Sequence, residues 1–512
     1  MTDPQPSTPP AGPAAAGPAI PAQPTAEELR ALLRTGPVHV VAAGGAGMSA
    51  VVRLLLDDGV PVTGSDSRAS GTLEALAERG ATVHVGHDAA HVAGARLVVV
   101  STAVRPDNTE VAAARAAGVP VVHRSVALAG LMADDRVVAV AGTHGKTTTT
   151  SMTAVAARAA GLDPSYAIGG DLVVDRVNAR RGTDRVFVAE ADESDGSFLA
   201  YAPDVAVVTN VEADHLDHYG DVEAVHAAFA RFAGRVRPGG LLVVGADDRG
   251  ARALVRGLPA GGTAPQVVTV GEAADADVRV VLLDPATLPE AGDDVLAAAR
   301  VVLPAVPAAA GGTGSTGAGE HLLLLRVPGR HNVADAALAL TAAVLGLRLD
   351  PARVAAGLGS FTGARRRFET VGEAAGVRVV DDYAHHPTEV AATLAAARTV
   401  AGRGRVHVLF QPHLYSRTRI FAEGFGTALQ EAGSVVVLDV YGAREDPEPG
   451  VDGALVADLV PGARFVPDRE EALAVLAAAA RPGDLVLTVG AGDVTELGPR
   501  LLERLRAQEG PA

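Results

Sequence analysis

Short apolar runs recur along the chain, and each one ends in glycine or polar residues before a helical pattern of apolar positions begins. The first run is Val38–Ala42, a second is Val137–Val140, and later runs end near residues 190, 209 and 382. Strands that are apolar throughout and alternate with helices are typical of parallel sheets covered on both faces. The pattern therefore predicts an α/β fold with mostly parallel sheets.

The alternation divides the chain into three predicted domains, which agrees with its length of 512 residues. We expect a Rossmann-like N-terminal domain at 37–129 and a central phosphate-loop domain with a mostly parallel sheet at 130–347. A C-terminal Rossmann-like domain is expected at 348–512, and residues 1–36 form a tail and lead-in.

Two segments are rich in small residues and carry few large apolar side chains. Met1–Pro24 is predicted to be disordered, and Thr25–Leu33 is predicted to be a short helix that leads into the first domain. The Gly-rich segment 311–317 is typical of a flexible insertion loop. The folded part of the chain is therefore expected to begin near residue 25.

Composition excludes several classes of protein. The chain has no cysteine, which removes disulfides, thiolate catalysis and zinc–sulfur sites and fits a cytoplasmic protein. No uncharged apolar run reaches the length of about 18 residues that a membrane span requires, and the N-terminus lacks the basic and apolar regions of a signal peptide. A net charge of −16 argues against nucleic acid as a partner, although a nucleotide needs only a local cationic pocket.

The stretch Val137–Ser151 reads VVAVAGTHGKTTTTS and has the order strand, glycine-containing loop, helix. Glycines let backbone N–H groups point at phosphate oxygens, and the N-terminus of the following helix adds partial positive charge. Lys146 is expected to reach the β- and γ-phosphates of a nucleotide, and the Thr147 hydroxyl is expected to contact Mg²⁺. Without a nucleotide, we expect the Lys146 side chain to be solvated.

A second Gly-rich turn, Gly44–Ser49, follows the first apolar run. Such a turn is typical of the nucleotide-binding half of a doubly wound sheet, and a dinucleotide site is one interpretation. Asp66 lies about 20 residues after the turn, where an acidic residue would meet a ribose hydroxyl. An ordinary turn residue is an equally consistent interpretation of the same position.

Polar residues follow two further strands of the central region. Glu190 and His215 each come after an apolar strand, and hydroxyl, carboxylate and imidazole groups near phosphates suit Mg²⁺, which uses few protein ligands. Asp192, Asp195 and Asp217, taken singly, are more typical of a solvated acidic loop. Because the carboxyl ends of parallel strands share one edge of a sheet, we expect Glu190 and His215 to lie near the phosphate loop.

The last third of the chain carries further motifs at strand ends. Asn332 is predicted to be the N-cap of a helix that runs through Gly346. The arginines 365–367 precede a strand that ends in DDYAHHP, and later strands lead into QPHLYSRT and GAGD. Polar residues at every strand end predict a working edge at the carboxyl ends of a parallel sheet.

Taken in order, these motifs make the chain resemble the Mur ligases over roughly residues 37–500. The resemblance rests on GGAGMS, GTHGKTTTTS, EADESDGSF, TNVEADHLD, PGRHN, RRFE, DDYAHHPTE, FQPHLYSRT and GAGD. It implies one domain for a UDP-linked substrate, one for ATP, and a third that closes on ATP and an amino acid. It also implies that ATP phosphorylates the lactyl carboxylate of UDP-N-acetylmuramate. The amine of L-alanine would then attack the acyl-phosphate, giving an amide, ADP and phosphate in a cytoplasmic step of peptidoglycan synthesis.

The resemblance also implies roles for the residues at the matching positions. Lys146, Glu190 and His215 are the implied catalytic residues, and the implied ligands of Mg²⁺ are Thr147, Glu190 and His215. The implied ATP-binding residues are Gly142, Thr143, His144, Gly145, Lys146, Thr147, Thr148, His331, Asn332, Arg367 and Asp382. The implied ligands of the UDP-linked substrate are Gly44, Gly45, Gly47, Met48, Ser49 and Asp66. Tyr383, His385 and Arg417 are implied to surround the amino acid.

Other interpretations of the sequence stay open. A murein-tripeptide recycling ligase would use the same chemistry with a larger amine, and the DDYAHH and QPHLYSR motifs do not separate the two well. A nicotinamide-dependent dehydrogenase built on Gly44–Asp66 would leave the phosphate loop and His215 unexplained. A nucleotide-switched binding protein would leave the motifs of the third domain unexplained. The sequence is compatible with a monomer or a homodimer.

Overall fold

The structure is a computed structural model that describes residues 24–105, 107–259, 264–304, 318–443 and 445–508. The predicted disordered tail, apart from Pro24, and the Gly-rich segment 311–317 lie outside these residues. The predicted lead-in helix is confirmed, because a helix spans Ala26–Thr35 and Thr25 caps it in a capping box with Glu28. Among the described helices, none combines the length and apolar character that crossing a membrane requires.

The N-terminal sheet has five parallel strands in the order β3-β2-β1-β4-β5. Its strands are β1 (Val38–Val41), β2 (Val62–Asp66), β3 (Thr82–Val85), β4 (Leu97–Val100) and β5 (Val121–His123). Its helices are α1 (Ala26–Thr35), α2 (Ala46–Asp57), α3 (Gly71–Glu78), α4 (Thr109–Ala116) and α5 (Arg124–Leu131). The strand order reverses between β1 and β4, and open α/β sheets bind ligands at such a switch point. The Gly-rich turn 44–49 follows β1 and lies at this crevice.

The central sheet has ten strands in the order β15-β14-β13-β12-β11-β10-β6-β9-β7-β8. Its strands are β6 (Arg136–Ala141), β7 (Ser165–Ala167), β8 (Ala179–Arg180), β9 (Val186–Glu190), β10 (Val205–Val208), β11 (Leu241–Gly245), β12 (Gln266–Gly271), β13 (Val278–Leu283), β14 (Ala297–Leu303) and β15 (Gly319–Leu325). Its helices are α6 (Lys146–Ala159), α7 (Leu216–Tyr219), α8 (Val222–Ala233), α9 (Arg249–Gly257), α10 (Arg330–Thr341) and α11 (Pro351–Gly359). Strand β6 lies between β9 and β10 and is parallel to both, so the segments after these three strands meet at one edge. Strands β13 to β15 form an antiparallel extension.

The C-terminal sheet has six strands in the order β16-β17-β21-β18-β19-β20, and all pairs except β16 with β17 are parallel. Its strands are β16 (Glu369–Ala374), β17 (Val377–Asp382), β18 (Val406–Phe410), β19 (Ser434–Val437), β20 (Arg464–Phe465) and β21 (Leu485–Val489). Its helices are α12 (Pro387–Ala401), α13 (Tyr415–Leu429), α14 (Ala454–Ala457), α15 (Arg469–Ala479) and α16 (Leu497–Gln508). The predicted fold of three α/β units is confirmed.

The prediction that Asn332 caps a helix is wrong. Helix α10 begins at Arg330, after Gly329, whose φ of 99° few other residues adopt. The Asn332 side chain instead donates a hydrogen bond of 2.6 Å to the carbonyl of Pro328. The helical path continues to Gly346, as predicted, through a π turn. Val354, Leu358 and Phe361 pack in the core of the central sheet, past the predicted domain boundary at residue 348.

Candidate active site at the edge of the central sheet

The phosphate loop after β6 is built so that only glycine fits at two positions. Gly142 has a φ of 140° and Gly145 a φ of 80°. A Cβ at Gly142 would collide with the Thr209 hydroxyl, and one at Gly145 would collide with the Asp335 carboxylate. The loop therefore packs directly on α10 and on the residue that follows β10, and α6 begins at Lys146 without a side-chain cap. Uncapped N–H groups at the start of a helix are available to an anion.

The prediction that Lys146 is solvated is wrong. Its Nζ donates to the carbonyls of Gly142 (2.8 Å) and Thr143 (3.2 Å) and to Glu193 Oε1 (2.8 Å). Burial alone would lower the pKa of Lys146, but the charges of Glu193 and Asp192 outweigh burial and raise it. The Lys146 ammonium is therefore held against the loop by the Glu193 carboxylate, a partner that the sequence motif did not predict.

The segment 192–195 after β9 is not a solvated acidic loop. Asp192 pairs with Arg124 of α5 at 2.7 Å, and the Asp195 side chain is only 10% exposed. Asp195 accepts a hydrogen bond from Thr102 Oγ1 at 3.2 Å. These contacts join the central sheet to the N-terminal sheet, and sequence reasoning missed Arg124 because no motif surrounds it. The side chain of Asp217 lies outside the described part of the chain.

The three residues expected to hold Mg²⁺ lie around the phosphate loop. Glu190 and Thr147 lie against two adjacent glycines. A Cβ added at Gly169 would collide with the Glu190 carboxylate, and a Cβ added at Gly170 would lie 3.6 Å from the Thr147 methyl group. His215 Nε2 lies 3.8 Å from Glu193 Oε1. The second oxygen of Glu193, Oε2, is buried without a hydrogen-bond partner among the described residues. The Thr147 hydroxyl, the Glu190 carboxylate and the His215 imidazole, with the unpartnered Glu193 oxygen beside His215, fit a hard divalent cation.

A second group of potential ligands lies on the other side of the loop. His144, Glu212 and His386 present ligand atoms within 4.8 Å of one another. His386 Nδ1, however, accepts the N–H of Thr388 at 3.3 Å, which places the proton of a neutral ring on Nε2. His144 is bracketed by Glu389 (3.1 Å) and Glu212 (3.6 Å), which overcome burial and raise its pKa to about 9. This group is therefore an ion-pair contact between the loop and the C-terminal sheet rather than a metal centre.

A cavity beside the loop collects the residues expected to bind the rest of ATP. Its lining includes His331, Asn332, Asp335, Arg367 and Asp382, which come from the central and C-terminal sheets. Burial and the nearby Arg367 charge lower the pKa of His331 to about 4. Burial raises the pKa of Asp382 to about 6, although Arg367 and two backbone N–H groups oppose this. The cavity thus brings together four of the residues predicted to bind ATP, which are His331, Asn332, Arg367 and Asp382.

Asp335 lies under the loop and was not predicted as a ligand. Its carboxylate accepts a hydrogen bond of 2.9 Å from the Thr149 hydroxyl, and burial raises its pKa to about 7. Between the ordinary pKa of 3.8 and about pH 7, the Asp335 carboxyl is therefore protonated in the folded state and ionised in the unfolded state. The contribution of Asp335 to stability is lost as pH rises from that value to about 7.

Asp335→Asn should remove this pH dependence. Between pH 5 and pH 8 the wild type should lose about 2–3 kcal/mol of stability relative to the variant, and its Tm should fall with it, because each pKa unit is worth about 1.36 kcal/mol. Thermal melts of both proteins across this range measure the difference. Parallel Tm curves would show that Asp335 ionises normally in the folded protein.

A second cavity lies where the three sheets meet. Its lining includes Thr102, His215, Tyr383, His385 and Arg417. Arg417 is not a free cation, because its Nη2 lies 2.8 Å from Asp214 Oδ1 and both side chains are buried. Burial lowers the pKa of His385 to about 3, although Glu389 opposes this. Tyr383, His385 and Arg417 are therefore together, beside a carboxylate that the sequence did not single out.

The Gly-rich turn 44–49 is closed by Asp66, whose Oδ2 accepts the N–H of Gly44 at 2.9 Å. The guanidinium of Arg124 lies over Gly47, where an added Cβ would be 3.0 Å from its Nη1. Met48 and Ser49 are buried. The Asp66 carboxylate thus closes this turn, and Gly44, Gly45 and Gly47 line the crevice end of α2.

Three family models match successive parts of the chain. They are the Mur ligase family, catalytic domain at residues 37–136, the Mur ligase middle domain at 140–343, and the Mur ligase, glutamate ligase domain at 366–492. Together these matches cover most of the chain.

Known proteins of similar sequence and structure agree with the family models. The UDP-N-acetylmuramate–L-alanine ligase of Kineococcus radiotolerans is 57% identical over 490 residues, which cover 94% of this chain and 99% of that protein. A solved UDP-N-acetylmuramate–alanine ligase from Thermotoga maritima matches with a TM-score of 0.74 and 29% identity, covering 92% of this chain and 100% of that one. A murein peptide ligase from Psychrobacter arcticus shares the fold with a TM-score of 0.66 at 22% identity, covering 92% and 98%. The chain belongs to the Mur ligase family.

Proposed function

We propose that this chain joins L-alanine to the lactyl carboxylate of UDP-N-acetylmuramate and converts ATP to ADP and phosphate, in a step of peptidoglycan synthesis. The observation that carries the proposal is the meeting of the phosphate loop with groups from all three sheets at the edge where β6, β9 and β10 end. Identity of 57% to an L-alanine ligase over nearly the whole length supports the choice of substrates.

In this proposal the phosphate loop, residues 142–148, binds the triphosphate, and Lys146 contacts the β- and γ-phosphates. Thr147, Glu190 and His215 would hold Mg²⁺, which would supply positive charge beside the transferring phosphoryl group. The lactyl carboxylate and the γ-phosphate are both anions that must be brought together. Positioning of this kind supplies as much as ~7–11 kcal/mol in ideal cases.

The remaining site residues have matching roles. His331 and Asn332 contact the adenine, while Arg367 and Asp382 approach ATP from the C-terminal sheet. Tyr383, His385 and Arg417 surround L-alanine, with the Arg417 guanidinium as the partner of the amino-acid carboxylate. Gly44, Gly45, Gly47, Met48, Ser49 and Asp66 form the site of the UDP-linked substrate.

We also propose a cytoplasmic location, because the reaction consumes ATP and a UDP-linked sugar. A monomer would suffice, and a homodimer is equally compatible, since every residue named for the site comes from one chain.

The test is ADP release with UDP-N-acetylmuramate fixed and the amine varied. L-Alanine should be the best amine, and glycine and L-serine should be accepted with kcat/KM lower by roughly 10–200-fold, since one methyl group discriminates weakly. A tripeptide that begins with L-alanine should fail, because its first carboxylate is tied up in an amide. Preference for the tripeptide over L-alanine would overturn the assignment in favour of a recycling ligase.

A further inference from the structure

Glu193 is a buried carboxylate to which the proposed reaction gives no role. It is 2% exposed, and its Oε1 accepts a hydrogen bond of 2.8 Å from Lys146 Nζ. Its Oε2 is buried and has no hydrogen-bond partner among the described residues. Lys146 donates its other hydrogen bonds to the carbonyls of Gly142 and Thr143. All three N–H donors of the ammonium are therefore engaged, two by carbonyls of the loop and one by Glu193.

A nucleotide can use Lys146 only by drawing it away from Glu193. The carboxylate would then be buried with neither oxygen paired, and an unpaired buried charge is strongly unfavourable. Removing Lys146 from Glu193 thus opposes phosphate binding unless another cation replaces it.

The replacement cation can come from the neighbouring site. His215, a proposed ligand of Mg²⁺, has its Nε2 3.8 Å from Glu193 Oε1. Asp192 and Glu190 add their negative charges to that of Glu193 at Lys146. A divalent cation that arrives there with the nucleotide supplies the charge that Lys146 takes away.

We propose that Glu193 makes nucleotide binding conditional on a divalent cation: the Lys146–Glu193 ion pair opens to the metal–nucleotide complex and excludes the metal-free nucleotide. Glu193 is a specificity-determining residue in this scheme and does not touch the reacting atoms. The inference rests on the proposed use of ATP with Mg²⁺.

The alternative is that the pair only stabilises the fold. Tyr219 donates its hydroxyl hydrogen to the Glu193 carbonyl, so the residue is also anchored through its backbone. A purely structural carboxylate would affect binding of the two forms of the nucleotide equally. The ratio of their affinities therefore separates the alternatives.

The experiment is calorimetric titration of the full chain with ADP, which reaches Lys146 through its β-phosphate and is not turned over. Titrations are made with excess Mg²⁺ and with a chelator in its place, for the wild type and for Glu193→Gln. In the variant, metal-free ADP should bind at least about tenfold more tightly, because the ammonium is no longer neutralised. The factor by which Mg²⁺ increases the affinity for ADP should therefore be smaller in the variant than in the wild type, by the same tenfold or more.

Asp195→Asn is the matched control. It removes one negative charge from the same segment, but its carboxylate contacts Thr102 and Arg124 rather than Lys146. Its ratio of affinities should stay within about threefold of the wild type, because more distant charges are better screened. An equal change in both variants would show a general effect of charge and overturn the proposal.

Two further outcomes are decisive. An unchanged ratio in Glu193→Gln, or equal changes in both affinities, would overturn the role of Glu193. If Glu193→Gln does not fold, Glu193→Asp, which keeps the charge but withdraws it by one methylene, should show an intermediate ratio; a wild-type ratio there would also overturn it. Failure of the wild type to bind ADP under either condition would instead count against the proposed function.

Discussion

Replacing Lys146 with alanine should lower kcat by at least about 10²–10³-fold, measured as ADP release with saturating UDP-N-acetylmuramate and L-alanine. The ammonium is the proposed partner of the β- and γ-phosphates, where charge develops during phosphoryl transfer. Near-normal turnover in this variant would remove the phosphate loop from the mechanism.

The same substitution should also lower Tm, because it leaves the buried carboxylate of Glu193 without the cation 2.8 Å away. The double variant Lys146→Ala with Glu193→Gln is the control for this effect. It should recover most of the lost Tm and remain inactive. Recovery of activity together with Tm would show that the single variant fails only because it is unstable.

Replacing Arg417 with lysine should raise the KM for L-alanine by roughly 10–100-fold, because one donor group then has to serve two carboxylates. The guanidinium already gives Nη2 to Asp214 and has further donors for the amino acid, whereas an ammonium is a single point charge. The measurement is ADP release with L-alanine varied and the other two substrates saturating. The KM for ATP should change little.

Arg419→Lys is the matched control for this prediction. Arg419 lies two residues further along α13, is 55% exposed, and pairs with Glu448 on the surface. Its replacement should leave every KM within about twofold of the wild type, since exposed ion pairs contribute little. An unchanged KM for L-alanine in Arg417→Lys would show that another group takes the carboxylate.

The sequence by itself determined the apolar strands β6, β9 and β10 and the polar segments that follow them. The run before Gly142 is apolar at every position because β6 is covered on both faces, and glycine is needed where the loop packs on the residue that follows β10. The same reasoning placed Glu190 and His215 beyond apolar strands. Burial and backbone conformation are local properties, so the pattern of residues records them.

The tertiary structure alone decided which charged groups face each other. Lys146 meets Glu193 across 47 residues, because strand order brings β6 beside β9. Arg417 meets Asp214 across 203 residues, because α13 of the C-terminal domain lies beside the segment that follows β10. The sequence motifs predicted a solvated Lys146 and did not identify Asp214 as a partner of Arg417. Pairing depends on the sheet order and on which groups are buried together, and neither is written in the spacing of residues along the chain.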